Sequence, residues 1–576
     1  MAKGKVVILT VLMGLSMFLM LCGDIEYDAA ALDKFKSYDE LKDFLQKSEI
    51  QYHNLHPYDY ALRILDNAKL ASMEGFGYSK TNIQVEGVDE ADIVKTDGEY
   101  LYIISGKNVV IVKAYPPKEA AVLSRVGVNG TLKQLFINGD RLVIFYEDGC
   151  HVNVKTFIQV YDVSCKESPT LKREVAVDGQ YFNSRMIGDY AYVLIMRRAQ
   201  IVNGEVELPK ICFDGEWKEI SASEIYYSHI PDYAYFFTTI VAVNVHDEEQ
   251  VPTYGPMLLG ATTSIYVSLD NIYIAITSND KTYLHRIQIQ ENEIVYAADG
   301  QVPGVVLNQF SMDEYNCYFR IATSYAGRNS LYVLNMDLEM VGSLENIAPK
   351  EQIHSARFMG NICYLVTFRK VDPFFVIDLT NPYDPKVLGM LKISGYSDYL
   401  HPYDENHVIG VGKETIPAEE GEFSWYQGIK ISLFDVSNAS NPKEIAKFII
   451  GERGTDSPVL RDHKAFLFDK ERGLLVIPVL VADVNESTYP DGVPPYVCGE
   501  PVWQGAYVFK VSLEFEEKIV LQGTITHIEN GDVMNSIYQI TRTLYIGNFL
   551  YTISEGKVKI NSLLNLSEVK ELDIKA

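Results

Sequence analysis

From about residue 81 to the end, short apolar runs rich in aromatic residues are cut at intervals by glycine and proline. Runs of that kind, bounded by turn residues, predict buried β-strands. Two phrases punctuate the runs. The first is a Gly with Asp or Asn, two more residues and then often Tyr, as in Gly188–Tyr192, Gly360–Tyr364 and Gly547–Tyr551. Gly beside Asp or Asn supplies the positive φ angles of a tight hairpin, so each copy predicts two antiparallel strands. The second is an apolar strand, an Asp and a Pro seven residues later: Asp162 with Pro169, Asp378 with Pro385, and Asp435 with Pro442. Here Asp reads as the end of a third strand, bonding nearby backbone N–H groups, and Pro as the break before a fourth, such as Lys386–Ile393.

Interlocked, the phrases predict four-stranded meanders starting near residues 92, 131, 181, 263, 307, 353, 395, 456 and 536. A meander buries both faces only against its neighbours, which makes a β-propeller the expected architecture. The fold class is therefore all-β, a propeller of about eight or nine four-stranded blades over residues 81–576, with insertions at Arg198–Phe237 and Asp483–Gln504. The recurrent Tyr102, Tyr192, Tyr273, Tyr318, Tyr364 and Tyr551 read as packing between blades.

Residues 23–80 have a different pattern and predict a short helical region. Ser37-Tyr38-Asp39-Glu40 reads as a capping box ahead of an apolar face of Leu41, Phe44 and Leu45, and Pro57 opens a second helix through Ala68. Before it, Lys3 and Lys5 precede the apolar run Val6–Leu21, the pattern of a secretory signal or a membrane anchor over residues 1–22. Leu19-Met20-Leu21-Cys22 resembles a lipoprotein box, with Cys22 as the lipidation candidate, although Leu21 replaces the small residue usual before that Cys. The expected location is extracytoplasmic, secreted or held at the cell membrane by the N-terminal segment.

Charge narrows the partners. A net charge of −26 argues against nucleic acid, whose phosphates would repel the chain. An extracellular protein, peptide or polysaccharide is the expected ligand. Cys150, Cys165, Cys212, Cys317, Cys363 and Cys498 show no CxxC spacing; Cys317 and Cys363 read as small core residues, and Cys212 and Cys498 as a potential pair.

Four long stretches carry a family resemblance: Thr81–Gly106 (TNIQVEGVDEADIVKTDGEYLYIISG), Ala356–Leu379, Gly395–Gly412 and Ser457–Glu471. The first closely resembles the opening signature of a family of secreted archaeal and bacterial proteins with a C-terminal β-propeller domain. The resemblance spans about residues 35–576. It implies a secreted or anchored propeller and no particular chemistry.

Two constellations are candidates for function. Glu86, Asp89, Glu90 and Asp92 offer oxygen ligands to a hard cation such as calcium, or else close the propeller. The Asp89–Asp92 tetrapeptide spells a helicase box, but the chain has no GxxxxGK[ST] phosphate cradle. Separately, His354, His401 and His463 fall at or near the first strands of three consecutive units. With Arg357, Asp398, Asp404, Arg461 and Asp462 they would line the channel, to bind a ligand or a transition metal or to run acid–base chemistry. No HExxH or GxSxG spacing is present. A binding or scaffold module is thus the first reading, and an enzyme, such as a metal-assisted hydrolase with its site in the channel, the alternative.

Overall fold

The computed structural model describes residues 33–52 and 78–575, apart from short gaps at 151–152, 214, 229–233, 279, 370–371, 422 and 529–530. The N-terminal apolar run, Cys22 and the helix expected from Pro57 lie outside the described residues.

Among the described residues, nine sheets of at least four strands follow one another, each predominantly an antiparallel meander. The first holds Val94–Thr96, Tyr100–Ser105, Asn108–Lys113 and Ala121–Gly127; the ninth ends with Glu568–Asp573. The nine main apolar clusters lie between consecutive sheets, one of them between the ninth and the first. That last cluster joins Leu101, Ile103 and Val112 to Tyr551, Val558 and Ile560, so the ring is closed. Because every sheet has a neighbour on both faces, its strands are apolar on both sides. This is why Val109–Val112 and Leu474–Val479 read as near-continuous apolar runs rather than as strict alternation.

Both punctuation phrases act as the sequence predicts. Gly188, Gly360 and Gly547 turn between the first and second strands of their sheets with φ of 56°, 53° and 58°. Asp162, Asp378 and Asp435 end third strands, and each accepts the backbone N–H two residues on, at 2.9, 2.9 and 3.0 Å. The fourth strands begin at Thr170, Lys386 and Lys443, one residue after each Pro. Of the repeated tyrosines, Tyr102, Tyr192, Tyr273, Tyr364 and Tyr551 are buried between sheets, whereas Tyr318 is only partly covered.

The described N-terminal region contributes one helix, Tyr38–Tyr52. Ser37 Oγ accepts the Glu40 N–H at 3.2 Å, but Glu40 reaches back to the N–H of Lys36, not of Ser37, so the capping box is displaced by one residue. Leu41 and Leu45 are buried in the cluster of the second and third sheets, and Phe35 stacks on Tyr227 at 4.0 Å. The insertion after Arg198 builds this seat. Its strands Lys210–Phe213 and Glu216–Glu219 extend the second sheet, and Tyr226–Tyr227 extends the third. Two cysteine expectations are corrected. Cys317 stands exposed in a hairpin turn with φ of 61°, while its counterpart Cys363 is buried in a strand. Cys212 lies on an added strand of the second sheet and Cys498 in the insertion of the eighth, and no disulfide joins them.

Candidate functional site

A ring of nine sheets leaves a wide axial channel, and the chain fills it with its own signature segment. Tyr78 bridges Ile546 on the inner strand of the ninth sheet, and Ser79 donates its N–H to Tyr545 O at 3.0 Å. The segment then crosses the channel. Asn82 donates to the backbone carbonyl of His463 in the eighth unit at 2.9 Å, and Gln84 donates to that of Gln309 in the fifth at 3.0 Å. Val88–Glu90 next pairs with the inner strand Gln180–Ile187 of the third sheet. Asp92 exchanges backbone hydrogen bonds with Leu135 of the second before the chain enters the first.

This path explains the acidic tetrapeptide. Asp89 meets the buried ammonium of Lys95 at 2.7 Å. Glu90 accepts the Gln84 N–H at 3.0 Å and faces Arg185 at 3.8 Å. Asp92 receives Arg542 through Nε at 3.0 Å and Nη2 at 2.8 Å, and the same Nη2 donates to Asp462. Burial works against the charge on Arg542, but Asp462 and Asp92 hold its pKa above the ordinary guanidinium value. Burial likewise works against the Asp462 carboxylate, yet Arg542 and Lys464 hold its pKa below the usual range. Glu86 stands apart, exposed at the channel mouth. The cation site expected from Glu86, Asp89, Glu90 and Asp92 is therefore not assembled: three of the four carboxylates are turned to different protein cations. Among the described residues no group of three or more His, Cys, Asp and Glu side chains is gathered to hold a metal.

The expected convergence of His354, His401 and His463 also fails. His354 Nδ1 lies 3.5 Å from Asp398, with its ring 4.4 Å from Tyr396. His401 Nδ1 is 2.6 Å from the Tyr399 hydroxyl, and its ring packs on Phe466 at 4.7 Å. Asp404 closes a hairpin turn onto His407 at 2.8 Å. Arg461 is largely exposed and paired with Asp456. Asp462 and His463 join the channel network directly, His401 touches it through the Tyr399 hydroxyl that Asn82 reaches at 3.4 Å, and Arg357 lies beside it over the Phe310 ring. The fully buried His463 sits 3.6 Å from Glu90. Thus the acidic tetrapeptide and one histidine, read from the sequence as separate candidates, meet in one buried polar network. Arg185, Gln309 and Arg542, which complete it, went unrecognised in the sequence. For Arg185 a signal existed: Arg185-Met186-Ile187-Gly188 and Arg357-Phe358-Met359-Gly360 place an Arg at the same position of two repeats.

One mouth of the channel remains open. A pocket of about 500 Å³ lies at the end where the Gly turns cluster, walled by Lys80, Glu86, Asn138, Lys464 and Thr543 above the Asp92–Arg542 pair. Lys95 and Arg542 also line it, but both are committed to carboxylates. Lys80 forms no ion pair among the described residues, Lys464 acts on Asp462 through its field rather than through an ion pair, and the buried Thr543 hydroxyl has no hydrogen-bond partner.

Comparison with known proteins agrees with this architecture. A family model described as Beta propeller domain matches residues 78–566. The chain belongs to that family. Its match begins at Tyr78, the residue that enters the channel. An uncharacterized protein of Methanocaldococcus jannaschii is 28% identical, over 87% of this chain and 84% of its own length. One from Archaeoglobus fulgidus is 29% identical, over 78% and 86%. Among solved structures, AztD of Citrobacter koseri aligns with 85% of this chain and 95% of its own at a TM-score of 0.37 and 9% identity. BamB of Moraxella catarrhalis aligns with 59% and 83% at 0.33 and 8%. Likenesses at that level carry no argument about function.

Proposed function

We propose that this propeller is an extracytoplasmic binding module, anchored or exported through residues 1–22, that takes an acidic group of a protein, peptide or polysaccharide ligand at the open channel mouth. The observation that carries the reading is the charge left over at that mouth. The channel interior is occupied by residues 81–92, whose buried carboxylates are matched by Lys95, Arg185 and Arg542. Among the described residues, Lys80 and Lys464 stand around the pocket in no ion pair, Lys464 within the field of Asp462 and Glu86 the one exposed acid beside them, on a chain whose net charge is −26. A local cation on a strongly acidic protein steers an acidic group to that spot. The enzymatic reading is less supported: His354, His401 and His463 do not converge, and His354 with Asp398 stands as a separate, partly exposed pair.

The test is fluorescence polarisation of the purified chain with labelled acidic, neutral and basic decapeptides. Selective binding of the acidic peptide, weakened about tenfold by Lys464→Glu, is expected for one interfacial charge contact reversed. Equal binding of all three peptides, or unchanged affinity in Lys464→Glu, would overturn it. Cell fractionation with and without residues 1–22 tests location: loss of the membrane or exported fraction on their removal is expected.

A second reading has its own observation on the opposite rim. The hairpin of the seventh sheet and the insertion of the eighth bring Phe423, Trp425 and Tyr496 together, with ring centroids 5.0 and 5.9 Å apart. Phe423 and Tyr496 are 44% and 59% exposed. Such rings offer stacking faces to a neutral polymer. Neutral oligosaccharides probed against wild type and Tyr496→Ala decide this reading independently of the peptides.

A further inference from the structure

Arg185 and Arg357 hold the same repeat position, three residues before the Gly of an inner-strand turn, yet their surroundings differ. Arg185 donates to Asn183 Oδ1 at 2.6 Å, Ser184 O at 2.8 Å and Gln309 Oε1 at 3.2 Å, with Glu90 at 3.8 Å. Arg357 is only 7% exposed, and its buried Nε has no hydrogen-bond partner among the described residues. Its guanidinium lies over the Phe310 ring, 5.8 Å from the centroid. Burial pushes its pKa down, against the opposing fields of Tyr399, Asp313, Tyr266 and Glu90.

A guanidinium does not discharge by losing its proton, so burial leaves a full charge that needs a counter-charge and acceptors. The two carboxylates whose fields reach Arg357 are already committed. Asp313 accepts from Arg320 Nε at 3.0 Å, and Glu90 serves Gln84, Arg185 and His463. Beside Arg357, the single-turn helix Gln309–Ser311 packs against its strand. The Ser311 hydroxyl there is fully buried and also has no hydrogen-bond partner. Two unsatisfied donors, one of them charged, thus lie on adjoining elements of the channel wall.

We propose that a small inorganic anion of the halide class binds between the fifth and sixth sheets, with the Arg357 guanidinium as counter-charge and the Ser311 hydroxyl as second donor. A water would satisfy donors and leave the charge unmatched. The site is independent of the mouth pocket and of any ligand there.

Diffraction from crystals of the chain soaked in sodium bromide tests it directly, with a bromine anomalous peak expected beside Arg357. Thermal unfolding in chloride against gluconate at constant ionic strength gives the second readout. For an anion that binds only the folded state, the midpoint rises by about 1–2 °C per tenfold chloride. That dependence disappears in Arg357→Met and weakens in Ser311→Ala. Absence of anomalous signal at Arg357, or an identical chloride dependence in wild type and Ser311→Ala, would overturn the site. Should Arg357→Met fail to fold, the bromide peak and Ser311→Ala still decide.

Discussion

The wall of the propeller and the segment that fills its channel use the same residue type in opposite ways. In the wall, Asp162, Asp378 and Asp435 sit at strand ends, near solvent, where each accepts one backbone N–H and fixes a turn. In the channel, Asp92 is 3% exposed and accepts two N–H groups of Arg542, 450 residues away in the chain. A turn aspartate acts locally and stays partly exposed to water. A buried aspartate has lost its water and depends on one distant cation, so its removal strands that cation in a low-dielectric site. Repeats built the wall, and long-range pairing locks the plug that closes it.

The largest effect expected from this contrast is at the buried pair. Asp92→Ala should cost about 3–5 kcal/mol of unfolding free energy, the penalty for leaving a buried partner uncompensated. Chemical denaturation followed by tryptophan fluorescence and circular dichroism measures it. A loss as small as that of a turn aspartate would erase the distinction between wall and plug.

Next comes acid sensitivity in the wall itself. His285 and His527 are buried, and burial lowers their pKa values to about 4 and about 3, with Lys559 and Lys557 adding to the effect at His527. The neutral His527 ring is held between Ser554 Oγ and Thr552 Oγ1, both at 2.9 Å. A folded pKa below the unfolded value of about 6.5 means that the unfolded chain binds the proton first. Each histidine therefore favours the fold fully above pH 6.5, and that stability is lost as pH falls from 6.5 towards 3–4. The loss is on the order of 2–3 kcal/mol per group by pH 4. Denaturation midpoints at stepped pH should fall over this window, and His527→Gln should flatten the fall.

The smallest effect belongs to the turns. Asp435→Ala should cost about 1 kcal/mol, the scale of one capping hydrogen bond. Asp378→Ala in the neighbouring sheet should match it, and the double variant should be additive, because the two turns share no partner. Strong coupling between them would show that the Asp does more than end a strand.

The wall was legible in the sequence because its determinants are local and repeated. A Gly turn, an Asp and a Pro seven residues on locate three strand boundaries each, and the fourth strand at Lys386–Ile393 begins and ends where the phrase places it. The plug was legible only as an unusual stretch. Its acids invited a cation because nothing in the linear order shows that Arg542 and Lys95 reach them. The histidines misled for a related reason. Their shared placement near inner strands was real, but side chains on such strands face neighbouring sheets as well as the channel, so His401 went into an aromatic stack and only His463 turned inward. The helix Tyr38–Tyr52 was visible from its apolar face, while its seat on the strands inserted after Arg198 was not.

The central claim is that residues 81–92 are an internal closing element of the propeller. Native-state hydrogen exchange followed by mass spectrometry tests it most directly. Peptides covering Gln84–Asp92 should exchange as slowly as the inner strand Gln180–Ile187 with which Val88–Glu90 pairs, and Arg542→Met should accelerate both together. Exchange of 84–92 at the rate of the exposed hairpin loops, indifferent to Arg542, would contradict the account.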